Sequence, residues 1–126
     1  MDNKTYFCAI EGIKFRNIHL YKEYFTDFYD KQKQKVKDKI LWTFKVVETL
    51  QQVPTDYLKH IEGTDGLYEI RVQTGSDIFR IFCFFDEGTL VVLANGFQKK
   101  TQKTPKREIE KALKIKEDYD NDKQES

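Results

Sequence analysis

The residues best suited to do chemistry in this chain are two arginines, Arg71 and Arg80, and one carboxylate, Glu69. All three lie in the stretch LYEIRVQ-TGSD-IFRIFCFF, residues 67–85. Two runs of aromatic and β-branched residues with a period of two flank the polar turn Thr74-Gly75-Ser76-Asp77, which is the signature of a β-hairpin. If Gln73 pairs with Ile78, then Tyr68, Ile70 and Val72 lie on one face opposite Cys83, Ile81 and Phe79, and that all-apolar face is the core face. The other face then sets Arg71 directly across from Arg80, with Glu69 opposite Phe82. Like charges directly opposed in an antiparallel pair are destabilising. An anion between them removes the penalty, and two guanidinium forks match the oxygens of a phosphate. The bland alternative is that each arginine lies over the sheet and pairs with a carboxylate, Glu69 first.

A second set of cations follows the next strand. The loop Gly96–Lys103 carries Lys99, Lys100 and Lys103 and begins where the third strand ends, so it should meet the arginines at one end of the sheet. Arg71, Arg80, Lys99 and Lys100 would form a four-cation concavity with Glu69 and Phe97 at its edge. A grip on sugar-phosphate combined with an aromatic surface suits single-stranded RNA. There is no acidic pair to hold magnesium, so neither a metal nor a cofactor is expected. Metal-free RNA cleavage needs only attack by the ribose 2′-hydroxyl on its own phosphate, a base for its proton and cations for the developing charge. Glu69 is the candidate base, with neutralisation of Arg71 as its bland role. Arg71 and Arg80 would stabilise the pentacoordinate phosphate, and Lys99 or Lys100 would protonate the leaving oxygen or hold a flanking phosphate. Lys100, Phe97 and Lys103 are the substrate-binding candidates. Such a site requires Arg71 and Arg80 to be adjacent and solvent-facing.

The elements that must position these residues are legible to different degrees. Asp86-Glu87-Gly88 reads as a three-residue turn, and Thr89–Ala94 (TLVVLA) as a strand buried on both faces. The result is an antiparallel meander over 67–73, 78–85 and 89–95, closed by Asn95-Gly96, where the glycine permits a sharp turn. Upstream, Tyr21, Tyr24, Phe25, Phe28 and Tyr29 form an aromatic stripe at helical spacing. A longer helix is expected over about Lys35–Gln51, with Val36, Ile40, Phe44, Val47 and Leu50 on one face, Leu41 and Val46 beside them, and Val53-Pro54 beyond its end. Two amphipathic helices joined by Asp30–Lys33 imply a helical hairpin packed on the sheet. Tyr57, Leu58 and Ile61 also fall at helical spacing, before a turn at Gly63–Gly66. Thr104-Pro105 opens a last helix with Ile109, Ala112, Leu113 and Lys116 on one face. Thr5–Ile10 and Lys14–Leu20 are candidate strands, at least one of which should join the sheet.

The chain's 126 residues suit one domain, over 1–119, with 1–20 as a poorly assigned lead-in and 120–126 as a disordered acidic tail. Net charge is +1, but Asn95–Lys116 carries +6 and Glu117–Ser126 carries −4. Basic blocks of this kind bind polyanions or form solvated helix faces, and the second reading suits the helical part. No apolar stretch is long enough to span a bilayer, and the first residues lack a secretory pattern. The two cysteines, Cys8 and Cys83, are far apart and make neither a disulfide framework nor a zinc spacing. A reducing cytoplasm fits. Cys83 should be a small buried hydrophobe and His19 a surface or edge residue.

These segments together resemble a known family. GLYEIRV, a short polar turn, DIFRIFCFFDEG and then NGFQKKTQKTPKREIEKA resemble the HigB branch of the RelE-type toxins, over about Tyr21–Tyr119. The resemblance implies an α+β fold: an N-terminal helical hairpin on a small, mainly antiparallel twisted sheet, with a C-terminal helix. It implies a type II toxin–antitoxin toxin, a ribosome-dependent endonuclease that cuts mRNA in the A site. It also implies a cognate helix-turn-helix antitoxin. The family's basic site positions fall here on Arg71, Arg80 and Lys99 or Lys100. Many relatives carry tyrosine or histidine near the end of the site, where this chain has Phe97 and lysines. The alternative function is a catalytically weak or inactive relative that acts by binding an antitoxin or RNA. A structural or phage-assembly role is a third reading, without special support from any residue.

Overall fold

The computed structural model describes residues 13–125. It is α+β, as expected: a five-stranded mixed sheet with two helices between its first and second strands and a third after its last. The elements are β1 (Asn17–Leu20), α1 (Tyr24–Tyr29), α2 (Gln34–Thr49), β2 (Leu58–His60), β3 (Leu67–Thr74), β4 (Asp77–Asp86), β5 (Leu90–Lys99) and α3 (Lys106–Glu125). Strand order is β1-β5-β4-β3-β2. β1 runs parallel to β5, and the other neighbours are antiparallel. The candidate strand Lys14–Leu20 thus supplies β1, while Thr5–Ile10 and Cys8 lie outside the described residues.

The expected hairpin register holds. Gln73 pairs with Ile78, Arg71 with Arg80 and Glu69 with Phe82. Pairing continues to Thr74–Asp77, so the turn is two residues rather than four. Gly75 takes φ +59°, a conformation open to glycine at the first turn position. Ile70, Val72, Phe79, Ile81 and Cys83 are buried with Phe25, Val36, Ile40, Phe44 and Val47, so α1 and α2 cover this face. The helical hairpin packs on the sheet as anticipated. Within it, however, Leu41 and Leu50 are exposed rather than core, and α2 stops at Thr49. Arg16 holds that end by donating to the carbonyls of Val47, Leu50 and Gln51.

The second face carries its own core. Leu67, Phe82, Phe84, Val92 and Ala94 pack with Ala112 and Ile115 of α3. Val91–Ala94 are all fully buried, which is why that run shows no clean alternation. The aromatic stripe is divided between the two cores. Lys22 at φ +51° breaks the helical path, α1 begins only at Tyr24, and Tyr21 turns to the α3 side.

Three expectations are corrected here. Tyr57, Leu58 and Ile61 do not form a helical turn: Leu58–His60 is an edge strand paired with Tyr68–Ile70. Asn95-Gly96 does not close β5, which runs on to Lys99. The acidic tail from Asp120 is helical through Glu125. Its charges find partners far away in sequence. Tyr21 Oη donates to Asp118 and Asp122, Lys22 pairs with Asp118, and Tyr119 and Lys123 both reach Asp86. Desolvation and the hydrogen bond to Asp122 push Tyr21 up to about 12.

Candidate functional site

A β-bulge decides what faces the arginines. Cys83 pairs with Leu93 but Ile81 pairs with Gly96, so Ala94 and Asn95 stand opposite Phe82 alone. Side chains alternate along a strand, and one extra residue exchanges their faces. Before the bulge Val92 and Ala94 point toward α3. After it Phe97 and Lys99 do, opposite Arg80 and Ile78. Without the bulge both would lie on the helical-hairpin side. Gly96 fits the same device. Its φ is not positive, so it is not there for a turn. A Cβ on it would sit 2.5 Å from Phe28 Cδ2, so its bare backbone lets α1 approach β5.

On the α3 side, then, one row holds Lys59, Glu69, Arg71, Arg80 and Lys99. β2 contributes Lys59 directly opposite Glu69. The α3 core covers the end of this face that carries Phe82 and Phe84 and leaves the arginine end open. Arg71 and Arg80 are adjacent, as required, but only Arg71 faces solvent, with 32% of its side chain exposed. Arg80 is buried at 6%, with Nε 2.7 Å from Glu69 Oε2 and Nη1 donating to its own neighbour's carbonyl, Phe79 O. The Nε–H does not point along the line to the carboxylate, so this is a charge contact rather than an aligned hydrogen bond. Burial lowers the Arg80 pKa, the charge of Arg71 adds to this, and Glu69 opposes it. Arg71 touches the same Glu69 oxygen more loosely, Nε at 3.6 Å, and its Nη1 reaches Thr55 O at 3.4 Å. It can therefore turn to a ligand at little cost.

The expected site residues are brought together in part. Lys99 joins the arginines: its pKa is lowered, first by burial and then by the charge of Arg80, with Glu69 opposing and Arg71 and Lys59 adding. Lys100 lines a neighbouring groove with Ser76, Asp77, Gln98 and Lys99. Lys103 is exposed farther along the loop and does not line that groove. Phe97 is half-buried, its ring 5.3 Å from that of Phe82, so it belongs as much to the α3 core as to the site. Lys59, Lys39 and Tyr57 were missed. Reading 57–61 as a strand paired with 68–70 would have placed Lys59 beside Glu69.

Burial first and the neighbouring cations second disfavour the charged form of Lys99, which yields a first test. The charged form of Lys99 is disfavoured in the native state, so its penalty is complete below its folded pKa and disappears as pH rises toward the ordinary lysine range. Lys99→Met should raise Tm at neutral pH, with the gain over wild type shrinking in alkaline buffer. The same change should weaken binding of single-stranded RNA. Calorimetry across pH and an RNA titration check both signs.

One family model, Phage derived protein Gp49-like (DUF891), matches residues 27–117. No curated protein matches the chain. The matched span runs from α1 into α3 and includes every residue of the cationic row. The family is associated with the toxins of toxin–antitoxin systems, an association that implies an antitoxin partner. On a match covering most of its length, the chain belongs to the phage-derived Gp49-like family.

Proposed function

We propose that this protein is the toxin of a type II toxin–antitoxin pair, of the HigB branch, and that it cuts mRNA in the ribosomal A site without a metal. The observation that carries this reading is the cross-strand pair of arginines on a face that also gathers Lys99 and Lys59. Glu69 balances one of these four charges, and a bound phosphate offsets part of what remains. In the reaction, the substrate's 2′-oxygen bonds to the adjacent phosphorus and the bond from phosphorus to the 5′-oxygen breaks. The products are a 2′,3′-cyclic phosphate and a 5′-hydroxyl end. Glu69, the carboxylate of this row, takes the 2′ proton as the incoming phosphate draws Arg71 away from it. Arg71 contacts the phosphate directly, and Arg80 holds Glu69 and adds positive charge from beneath. Lys99 returns a proton to the leaving oxygen; a lowered pKa makes a lysine a better donor near neutral pH. Lys100 and Phe97 take the flanking nucleotide, and Lys103 supplies charge farther along the strand. The partner in the cell is a helix-turn-helix antitoxin, and the site of action is the cytoplasm.

Arg71 is the probe of choice because it is partly exposed and its removal leaves the core intact. Induced expression of the wild type should arrest growth and create new mRNA 5′ ends. Arg71→Ala should lose both, with cleavage down on the order of a hundredfold, the usual effect of deleting one charge-stabilising donor. Arrest without new ends would rule out nuclease action. The burial of Arg80 against Glu69 favours one other reading, a binding module in which that pair is purely structural. Expression without arrest, together with retained binding of an antitoxin, is the result specific to it.

A further inference from the structure

β2 pairs with β3 as far as Ile70, and just beyond it the Arg71 N–H donates to Tyr57 O. Beyond that, the outer edge of β3 opens on a cleft of about 330 Å³ whose lining includes Lys39, Asp56, Tyr57, Arg71, Gln73 and Arg80. That volume is at the small end of ligand pockets. One wall is aromatic. The half-exposed ring of Tyr57 meets Trp42 of α2 edge-on, with centroids 5.6 Å apart and planes at 71°. Trp42 is in turn fixed by Lys39, whose Nζ lies 4.2 Å from its ring centroid. Trp42 is 46% exposed and belongs to neither core. Tyr57 therefore lines the cleft beside both arginines, braced from outside by Trp42, and offers a surface on which a base can stack. Asp56 on the same rim repels a second phosphate, so the cleft suits a base with one phosphate at Arg71 rather than two successive phosphates.

We propose that Tyr57 is the stacking face of a nucleobase subsite for single-stranded RNA whose adjacent phosphate lies on Arg71, with Trp42 and Lys39 positioning the ring. The subsite rests on the RNA reading above, and it lies on the side of Arg71 away from Phe97. It gives the strand a second grip that does not depend on charge. Aromatic stacking tolerates any base, so the subsite adds affinity and register more than sequence choice.

The chain has one tryptophan, which touches the Tyr57 ring, so its emission reports on the surroundings of that ring. A short single-stranded RNA labelled at one end is titrated against the full chain, following the label's anisotropy and the Trp42 emission together. Both should change over the same concentration range, whereas inorganic phosphate should leave the emission unchanged. Tyr57→Ala should weaken RNA binding on the order of tenfold, and Tyr57→Phe should bind as the wild type does. Anisotropy that rises with no change in Trp42 emission overturns the subsite and leaves the RNA reading standing. So does wild-type affinity in Tyr57→Ala. No change in either signal overturns the subsite, while growth arrest and mRNA end mapping with Arg71→Ala decide the ribosomal reading separately.

Discussion

Arg80→Ala is expected to lower stability by about 3 kcal/mol and cleavage by roughly a hundredfold, and adding Glu69→Ala should restore most of the stability but none of the cleavage. The reason lies in the geometry of the pair. Both side chains are largely withdrawn from water, 6% and 13% exposed, and Nε stands 2.7 Å from Oε2. Removing one partner of such a pair leaves the other as a buried charge without compensation, which costs more than the pair itself contributes. Arg71, at 3.6 Å from the same oxygen, offsets part of that loss, which puts the expected cost at the lower end of the range for buried pairs. Removing both partners eliminates the uncompensated charge, so stability recovers. Cleavage does not recover, because the cation beneath the phosphate and the base are then both missing. Urea melts of the two single variants and the double variant, with mRNA end mapping on each, measure the two quantities separately. If Arg80→Ala loses stability but still cuts at the wild-type rate once folded, Arg80 is a strut and the catalytic charge is carried by Arg71 and Lys99.

Gly96→Ala is expected to destabilise the protein by about 2 kcal/mol, within the usual range for overpacking. At a roughly 100-residue scale each kcal/mol lowers Tm by about 4–8 °C. Alanine in place of glycine normally stabilises a strand by reducing the freedom of the unfolded chain, by about 0.4–1 kcal/mol. Here the steric term wins. The added methyl would meet three atoms of the Phe28 ring, at 2.5, 2.8 and 2.9 Å. That ring also packs against Phe25 and Phe79, so it cannot simply swing aside. In a Phe28→Ala background the same change at Gly96 should cost nothing or stabilise, because the methyl then enters a cavity. Thermal melts of the four proteins give the coupling directly. Activity should fall as well, since Gly96 precedes Phe97 directly and Lys99 by three residues, and a displacement of β5 by a fraction of an ångström carries Lys99 away from the arginines.

What the sequence by itself determined is local. The β3–β4 hairpin could be read because the signals that set its register lie within a few residues of one another: strict alternation on both sides of a turn with glycine at the position that needs it. From that register the opposition of Arg71 and Arg80 followed directly, as did the burial of Ile70, Val72, Phe79, Ile81 and Cys83. The helical hairpin was legible for the same reason, since a period of 3.6 is written along each helix. The family segment from Gly96 to Pro105 was legible as a motif, although its first residues form strand rather than loop.

Only the tertiary structure decided which face the lysines joined and how deeply each arginine lay. The bulge at Ala94-Asn95 falls where Asn95-Gly96 reads as a turn, so the local signal does not tell a bulge from the end of the strand. The bulge is held by contacts with elements far along the chain, Phe28 packed on Gly96 and the Asn95 amide donating to Glu108. Parity along β5 depends on that bulge, so the placement of Phe97 and Lys99 beside Arg80 could not be counted out from the strand. β2 was missed because three residues are too few to show a period, and with it went Lys59. The tail looked disordered because its acids lacked neighbours in sequence, but Tyr21, Lys22 and Asp86 supply partners once the chain is folded. Arg80 became buried for a similar reason. A period of two assigns a side chain to a face, but whether that face is open depends on what α3 covers and on where Glu69 can reach, and long-range packing sets both.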